Sequence, residues 1–186
     1  MTGLVSSASA TAAASWLASA VALAVAGDEV AFARIVDAYH GDLFRVAYVV
    51  AGSEQLAEDA VQAAWSIAWR KLGSLHDPDR LRPWLVSIAA NEARQTLRSR
   101  HRRQVAEIRV RSPDDAAGDP ATIVDRLDLV DAFRHLKPED RSLLAMRFVA
   151  GLDAAEIGAV LGMSPSGVRG HLSRLLERLR KELRDG

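Results

Sequence analysis

Five polar residues near the carboxyl end of the chain have the types and spacing needed to read DNA. Arginine donates hydrogen bonds to guanine acceptors or phosphates, and serine and histidine can donate or accept. The stretch that carries them has Val168 and Leu172 at helical spacing, and the polar residues fall largely off that apolar face. The pattern predicts a helix whose first turns meet base edges in the major groove. The five candidates are Ser166, Arg169, His171, Ser173 and Arg174.

The preceding residues complete the pattern of a helix-turn-helix. Ile157, Val160 and Leu161 give a short first helix one apolar face, and Gly162 begins the turn. Gly158 is small at a point where the two helices must approach closely. The alternative is a plain amphipathic hairpin with a solvated basic face, because single helix-turn-helix patterns also occur by chance.

A second candidate group lies on an earlier predicted helix. Glu58, Asp59 and Gln62 are spaced i, i+1 and i+4, so they share one face. Carboxylates and an amide there can pair with arginines of a partner helix. The alternative is a solvent-exposed first turn of a helix, where acidic residues are favoured, and it accounts for the same residues without a partner. The residues alone leave both interpretations open.

Residues arranged for catalysis or metal binding do not occur in the sequence. The five histidines are scattered, and no His/Glu pair has metal-ligand spacing. The absence of cysteine excludes disulfides, cysteine zinc sites and thiol nucleophiles. There is also no phosphate-binding loop and no nucleophile elbow. We therefore expect a protein that is not an enzyme and that uses no metal or cofactor, and a helical-bundle enzyme is the disfavoured alternative.

The composition predicts a folded chain but gives little direct sign of its partner. Of the 186 residues, 49% are hydrophobic and 26% are charged, which is typical of globular proteins. Lys plus Arg equals Asp plus Glu at 24 each, so any attraction to DNA must come from segregated charge. The lack of cysteine suits a reducing cytoplasm.

An apolar run over residues 16–26 resembles the end of an export signal. No lysine or arginine precedes Arg34, so the positive segment of a signal peptide is missing. The run is also too short to cross a bilayer. We therefore expect a docked first helix, no membrane insertion and a cytoplasmic location.

Helical periodicity throughout the chain predicts an all-α protein of two small helical domains joined by a flexible linker. Helices are expected from about Asp28 to Ala51, from Ser53 as N-cap, and from Leu81 into a basic tail. The clearest linker is residues 112–121, with two prolines, one glycine and three aspartates. Further helices are expected over 123–134, 138–149, 154–161 and 166–183. The resulting division is an extension at 1–15, a domain at 16–103, a linker at 104–122 and a domain at 123–186.

Several short stretches, taken together, are similar to extracytoplasmic-function (ECF) sigma factors of bacterial RNA polymerase. Each stretch is weak evidence alone, but they keep the order and spacing of the family over residues 16–183. They are AGDEVAFARIV at 26–36, AEDAVQ at 57–62, RPWLVSIAAN at 82–91, LKPEDR at 136–141 and GLDAAEI at 151–157.

The resemblance implies a protein that directs core RNA polymerase to promoters. Residues 16–103 would be region two, which binds core and melts the minus-ten element, with Glu58, Asp59 and Gln62 on the β′ clamp helices. Residues 123–186 would be region four, which reads the minus-thirty-five element. The implied partners are core polymerase, including its β flap, promoter DNA and an anti-sigma factor.

The resemblance also places minus-ten contacts on the loop 72–80 and on the helix after it. The family holds a flipped base at this loop, although an ordinary exposed loop is the alternative. Three residues on the following helix share a face at i, i+3 and i+7, and can meet the unwound strand or its phosphates. The six candidates are His76, Asp77, Asp79, Asn91, Arg94 and Arg98.

Some positions depart from the family pattern. Gln95 stands where many relatives have an acidic residue, and Ala63 and Ala64 replace an acidic-then-apolar pair. Gly170 and His171 stand where a small hydroxyl and a basic residue are common. These differences bear on the promoter sequence and the strength of core docking. An ordinary helix-turn-helix repressor or activator, dimeric on a palindrome, is the second candidate class.

Overall fold

The computed structural model describes residues 16–110, 133 and 135–185, and each secondary-structure element in that part of the chain is helical. This confirms the predicted all-α fold. The predicted extension at 1–15, the linker at 112–121 and nearly all of the helix at 123–134 lie outside the described residues. The helices are α1 (16–25), α2 (Glu29–Ala51), α3 (Glu54–Lys71), α4 (Leu81–Val110), α5 (Pro138–Leu144) with a π-helical segment Ala145–Val149, α6 (Ala154–Leu161) and α7 (Pro165–Asp185).

The limits of α2 follow from its capping residues. The carboxylate of Asp28 accepts hydrogen bonds from the backbone N–H groups of Val30 at 2.9 Å and Ala31 at 3.0 Å. These bonds satisfy donors that have no partner within the helix. Gly52 ends the helix with a φ of 70°, a conformation that glycine adopts without strain. Ser53 occupies the N-cap position of α3 as predicted, but its side chain makes no capping hydrogen bond.

Helices α2, α3 and α4 form the core of the first domain. Ile35, Leu43 and Val61 are among its fully buried side chains. Many other buried residues of α3 and α4 are alanines, whose small side chains allow the helix backbones to approach closely. Helix α1 buries Ala20, Val21 and Ala24 against this domain, as expected of a docked helix. Among the described helices, none is long and apolar enough to span a bilayer.

An ion pair ties α4 to α2 at the edge of this core. The guanidinium of Arg82 donates to the carboxylate of Asp42, with nitrogen–oxygen distances of 2.9 Å and 2.8 Å. Arg82 opens the RPWL stretch, so part of that motif serves packing. Helix α4 then continues to Val110, beyond residue 103, where the sequence analysis ended the first domain.

The second domain carries the predicted helix-turn-helix in α6 and α7. Asp153 and Glu156 form a reciprocal capping box at the start of α6, and Gly162 ends that helix with a φ of 67°. The Ser164 hydroxyl accepts a hydrogen bond from the Gly167 backbone N–H at 3.0 Å, which caps α7. Helix α7 buries an apolar stripe of Val168, Leu172, Leu175 and Leu179.

Two helical glycines of this motif make contrasting predictions. A Cβ at Gly158 would lie 2.5 Å from the Met163 backbone oxygen, whereas a Cβ at Gly170 would meet only the Arg174 side chain, at 3.7 Å. We expect Gly158→Ala to destabilise the chain by about 1–3 kcal/mol, the cost of overpacking. Gly170→Ala is the matched control and should be neutral or stabilising by up to about 1 kcal/mol. Urea unfolding of both variants measures the difference, and equal stability would contradict the close approach.

Candidate nucleic-acid and partner interfaces

The helix α7 presents most of the predicted recognition residues to solvent. Ser166, Arg169, Ser173 and Arg174 are exposed, opposite the buried stripe of the same helix. The Arg174 guanidinium lies near Gly170, one turn back, where an added Cβ would meet its Nη1 at the ordinary contact distance of 3.7 Å. Two arginines and two serines are therefore available on the outer face of the first turns, the part of a recognition helix that meets base edges.

His171 is the exception among the predicted recognition residues. Its Nε2 lies 3.0 Å from Oδ1 of Asp140, a residue of α5 that is 6% exposed. Arg178 of α7 approaches the other carboxylate oxygen of Asp140 at 3.6 Å. A buried carboxylate needs such partners, because an unpaired buried charge is costly. The structure thus gives His171 a role in joining α5 to α7 that the sequence pattern did not indicate.

The face of α3 that was predicted to bind a partner helix is exposed and borders a groove. Glu58, Asp59 and Gln62 are all exposed. Glu58 and Gln62 line the groove between α2 and α3, while Asp59 is not among its lining residues. The acidic and amide groups are therefore placed where a basic helix can dock beside an apolar floor.

Three of the groove residues that were not sequence candidates carry aromatic or imidazole rings. His40 and Phe44 come from α2 and Trp65 from α3, and the indole Nε1 of Trp65 donates to Nδ1 of His40 at 3.3 Å. The rings of Phe32 and Trp65 meet edge to face at 5.9 Å. Aromatic residues next to charged ones are typical of interface centres. The i, i+4 spacing of His40 and Phe44 was the only available signal, and it does not distinguish core from interface.

The loop before α4 exposes the three polar residues that were predicted to contact DNA. His76, Asp77 and Asp79 are all exposed. The side chain of Asp77 accepts a hydrogen bond from the Asp79 backbone N–H at 3.0 Å and lies 3.5 Å from the Arg80 guanidinium. Asp77 therefore shapes the short 3₁₀ turn Pro78–Arg80, which leaves His76 and Asp79 as the less constrained groups.

The predicted DNA face of α4 is divided between two environments. Asn91 is exposed, and its amide oxygen accepts a hydrogen bond from Arg94 at 3.0 Å. Arg94 is half-buried, and its Nε has no hydrogen-bond partner within the described part of the chain. Arg98, one turn further along, forms an ion pair with Glu139 at the start of α5. In this arrangement Glu139 of the second domain is paired with Arg98, one of the cationic residues that were predicted to contact DNA.

The ion pair between Arg98 and Glu139 predicts an acid-sensitive contact between the domains. The pKa of Glu139 lies below its usual value of 4.5, chiefly because its own backbone N–H donates to the carboxylate; partial burial opposes this effect and Arg98 adds to it. Only the part of this lowering that Arg98 causes belongs to the domain contact. That part stabilises the contact fully above the usual pKa of 4.5 and is lost as the pH falls through the lowered value.

We therefore expect the domain contact to be constant from about pH 8 to 5 and to loosen below the usual glutamate pKa of 4.5. Since the chain has no cysteine, dyes on Ala38→Cys and Glu177→Cys can report the distance by energy transfer. Glu139→Gln should remove this acid transition. Loosening between pH 8 and 5 would contradict the assignment to Glu139.

Comparison with known proteins identifies the family of the chain. Residues 35–103 match Sigma-70 region 2, and residues 126–179 match Sigma-70, region 4. The chain is 38% identical over 132 residues to the RNA polymerase sigma factor CarQ of Myxococcus xanthus, covering 69% of this chain and 75% of CarQ. It is 30% identical over 168 residues to the probable RNA polymerase sigma factor RfaY of Xanthomonas campestris, covering 86% of this chain but only 42% of RfaY.

A solved structure supports the same arrangement. The fold resembles that of CnrH, which was solved in complex with the cytosolic domain of CnrY, with a TM-score of 0.66 and 26% sequence identity. The match covers 89% of this chain and 96% of CnrH.

The fold and the matched regions define the class as sigma factors of bacterial RNA polymerase. Within that class, the chain belongs to the extracytoplasmic-function (ECF) group: it is 28% identical over 172 residues to the ECF RNA polymerase sigma factor SigW of Bacillus subtilis, covering 86% of this chain and 92% of SigW. It is therefore a protein of promoter-specific transcription initiation, and the expected family resemblance is confirmed.

Proposed function

We propose that the chain binds core RNA polymerase through the α2–α3 groove and reads promoter DNA with both domains. The observation that carries this proposal is the separation of two exposed polar faces. An acidic and aromatic face lies on α2 and α3, and an arginine and serine face lies on α7. The first suits basic helices such as the β′ clamp helices, and the second suits a major groove. A single ligand could not satisfy both.

The two domains divide the promoter between them. The domain at 16–103 melts the minus-ten element, with His76 and Asp79 near the flipped base and Asn91 and Arg94 along the strand. Asn91 lies ten residues into α4, about 15 Å along its axis from the loop, a span that suits several nucleotides of single strand. The domain at 123–186 reads the minus-thirty-five element and contacts the β flap. The linker at 104–122, whose first residues to Val110 continue α4, joins the two domains so that both sites can be reached together.

Promoter binding requires the two domains to separate. Arg98 cannot contact the unwound strand while it is paired with Glu139. An exposed ion pair of this kind contributes at most about 1 kcal/mol, so releasing Arg98 for DNA costs little beyond the separation of the apolar surfaces of the two domains. The arrangement in which the two domains are in contact thus favours binding to core polymerase before binding to DNA.

An anti-sigma protein is the natural regulator of such a chain. CnrH was solved with a protein partner, the cytosolic domain of CnrY, and we propose that this chain likewise binds a protein partner, in its case an anti-sigma factor. The place of action is the cytoplasm, where polymerase and promoters are found. The chain itself performs no covalent step, and the polymerase supplies the catalysis.

Binding to duplex DNA with and without core polymerase tests this function. We expect the purified chain alone to bind promoter fragments weakly, and the complex with core to bind them with at least about 1,000-fold higher affinity, the lower end of the usual ratio of specific to non-specific binding. A helix-turn-helix repressor would bind a palindrome tightly by itself, as a dimer. Tight binding without core would therefore contradict the proposal.

A further inference from the structure

A cavity of about 520 Å³ lies where the first domain meets the second. Tyr48, Val49 and Gly52, at the end of α2, form one wall. Leu144 and Phe148 of the second domain, and Leu176 and Leu179 of α7, contribute apolar side chains to the other walls. Cavities of this size, with apolar walls and a domain-interface position, are typical of small-molecule sites.

One charged group breaks the apolar lining of this cavity. Arg141 of α5 lines it and is only 8% exposed. Among the residues that the structure describes, its Nε has no hydrogen-bond partner, and its Nη1 lies near Gly52, 3.8 Å from where a Cβ would stand. Burial lowers the pKa of Arg141 from its ordinary value, while nearby Glu139 opposes that effect. Arginine nonetheless stays protonated in proteins, so the cavity holds a buried positive charge.

The two acidic residues that precede Arg141 in the sequence are already engaged. The Glu139 carboxylate pairs with Arg98, and the Asp140 carboxylate lies between His171 and Arg178. A buried cation with an unused donor is costly unless an anion completes it. A ligand with a carboxylate on an apolar body would complement both the charge of Arg141 and the apolar walls of the cavity.

We propose that this cavity binds a small amphiphilic carboxylic acid, whose carboxylate pairs with Arg141 and whose apolar body contacts the leucine and aromatic walls. Because the walls come from both domains, an occupied cavity would hold the domains together. The proposal does not depend on the proposed function, since it concerns the free chain.

Calorimetric titration of the full chain with three ten-carbon probes tests the proposal. Decanoate, decanol and decylammonium share one apolar body and differ in charge. We expect decanoate, kept below its micelle concentration, to bind about tenfold or more tightly than decanol, the ratio expected for a charge-assisted hydrogen bond. Decylammonium should not bind. Equal affinities for the three probes, or no binding of decanoate at millimolar concentration, would overturn the proposal.

Matched variants locate the site. Arg141→Met removes the charge and keeps the length, so decanoate affinity should fall about tenfold, to that of decanol. Arg180→Met removes a charge from an exposed position of α7 and should change nothing. Val49→Phe fills the cavity and should abolish binding of both probes with the charge intact. Unchanged decanoate binding in a folded Arg141→Met or Val49→Phe variant would overturn the assignment.

Discussion

Glu58→Arg should sharply weaken binding of this sigma factor to core RNA polymerase. Glu58 is exposed on α3 and lines the groove between α2 and α3. If a basic helix docks there, the substitution places like charges together, at a cost of about 2 kcal/mol or more. That cost corresponds to a loss of affinity of about 30-fold. Fluorescence anisotropy of the labelled chain titrated with core polymerase measures it.

The matched control for this prediction is Glu182→Arg. It makes the same change of charge at an exposed position near the end of α7, in the other domain. We expect its affinity for core to stay within about twofold of the unsubstituted chain. Both variants should melt at the temperature of the original protein, because both positions are exposed. If Glu58→Arg bound core as well as the control did, the α3 face would not be the docking surface.

Replacing both Arg169 and Arg174 with alanine should remove recognition of the upstream promoter element. Both side chains are exposed on the outer face of α7. An arginine that contacts a base in two places contributes about 1–3 kcal/mol of discrimination, so the double variant should lose about 100-fold in affinity for the correct element. Binding to core polymerase should not change, since core docks mainly on the other domain.

The decisive readout for this second prediction is specificity. Polymerase carrying the original chain should distinguish an intact minus-thirty-five element from a scrambled one, and the double variant should not. Arg180→Ala is the control, since Arg180 is exposed on α7 four turns beyond its first residues. It should retain the discrimination and lose only a little affinity. Discrimination that survived in the double variant would exclude α7 as the reading helix.

Local signals predicted the helices well. The limits of α6 agree with the sequence analysis, because Asp153 caps its start and Gly162 ends it, and both signals lie next to the helix. The predicted helix over 138–149 is present, but its last five residues are π-helical. Apolar spacing indicates that a helix exists, but it does not resolve a shift of hydrogen-bonding register within it.

Contacts between distant residues could not be predicted in the same way. His171 meets Asp140 and Arg98 meets Glu139 across separations of 31 and 41 residues. Trp65 reaches His40 across 25 residues. Such pairs depend on how helices pack, and helical spacing determines only which residues share a face. The candidate DNA residues were therefore found by type and spacing, whereas the constraints on His171, Asp77 and Arg98 needed the fold.

Reconstituted transcription tests the central claim most directly. Core polymerase, free of other sigma factors, is given this chain and fragments of the source genome, and the start sites of the new transcripts are mapped. We expect initiation at a small set of sites that share one minus-ten and one minus-thirty-five sequence, and a loss of most transcripts with Glu58→Arg but not with Glu182→Arg. If core polymerase initiated at no new site in the presence of the folded chain, the chain would not direct promoter recognition.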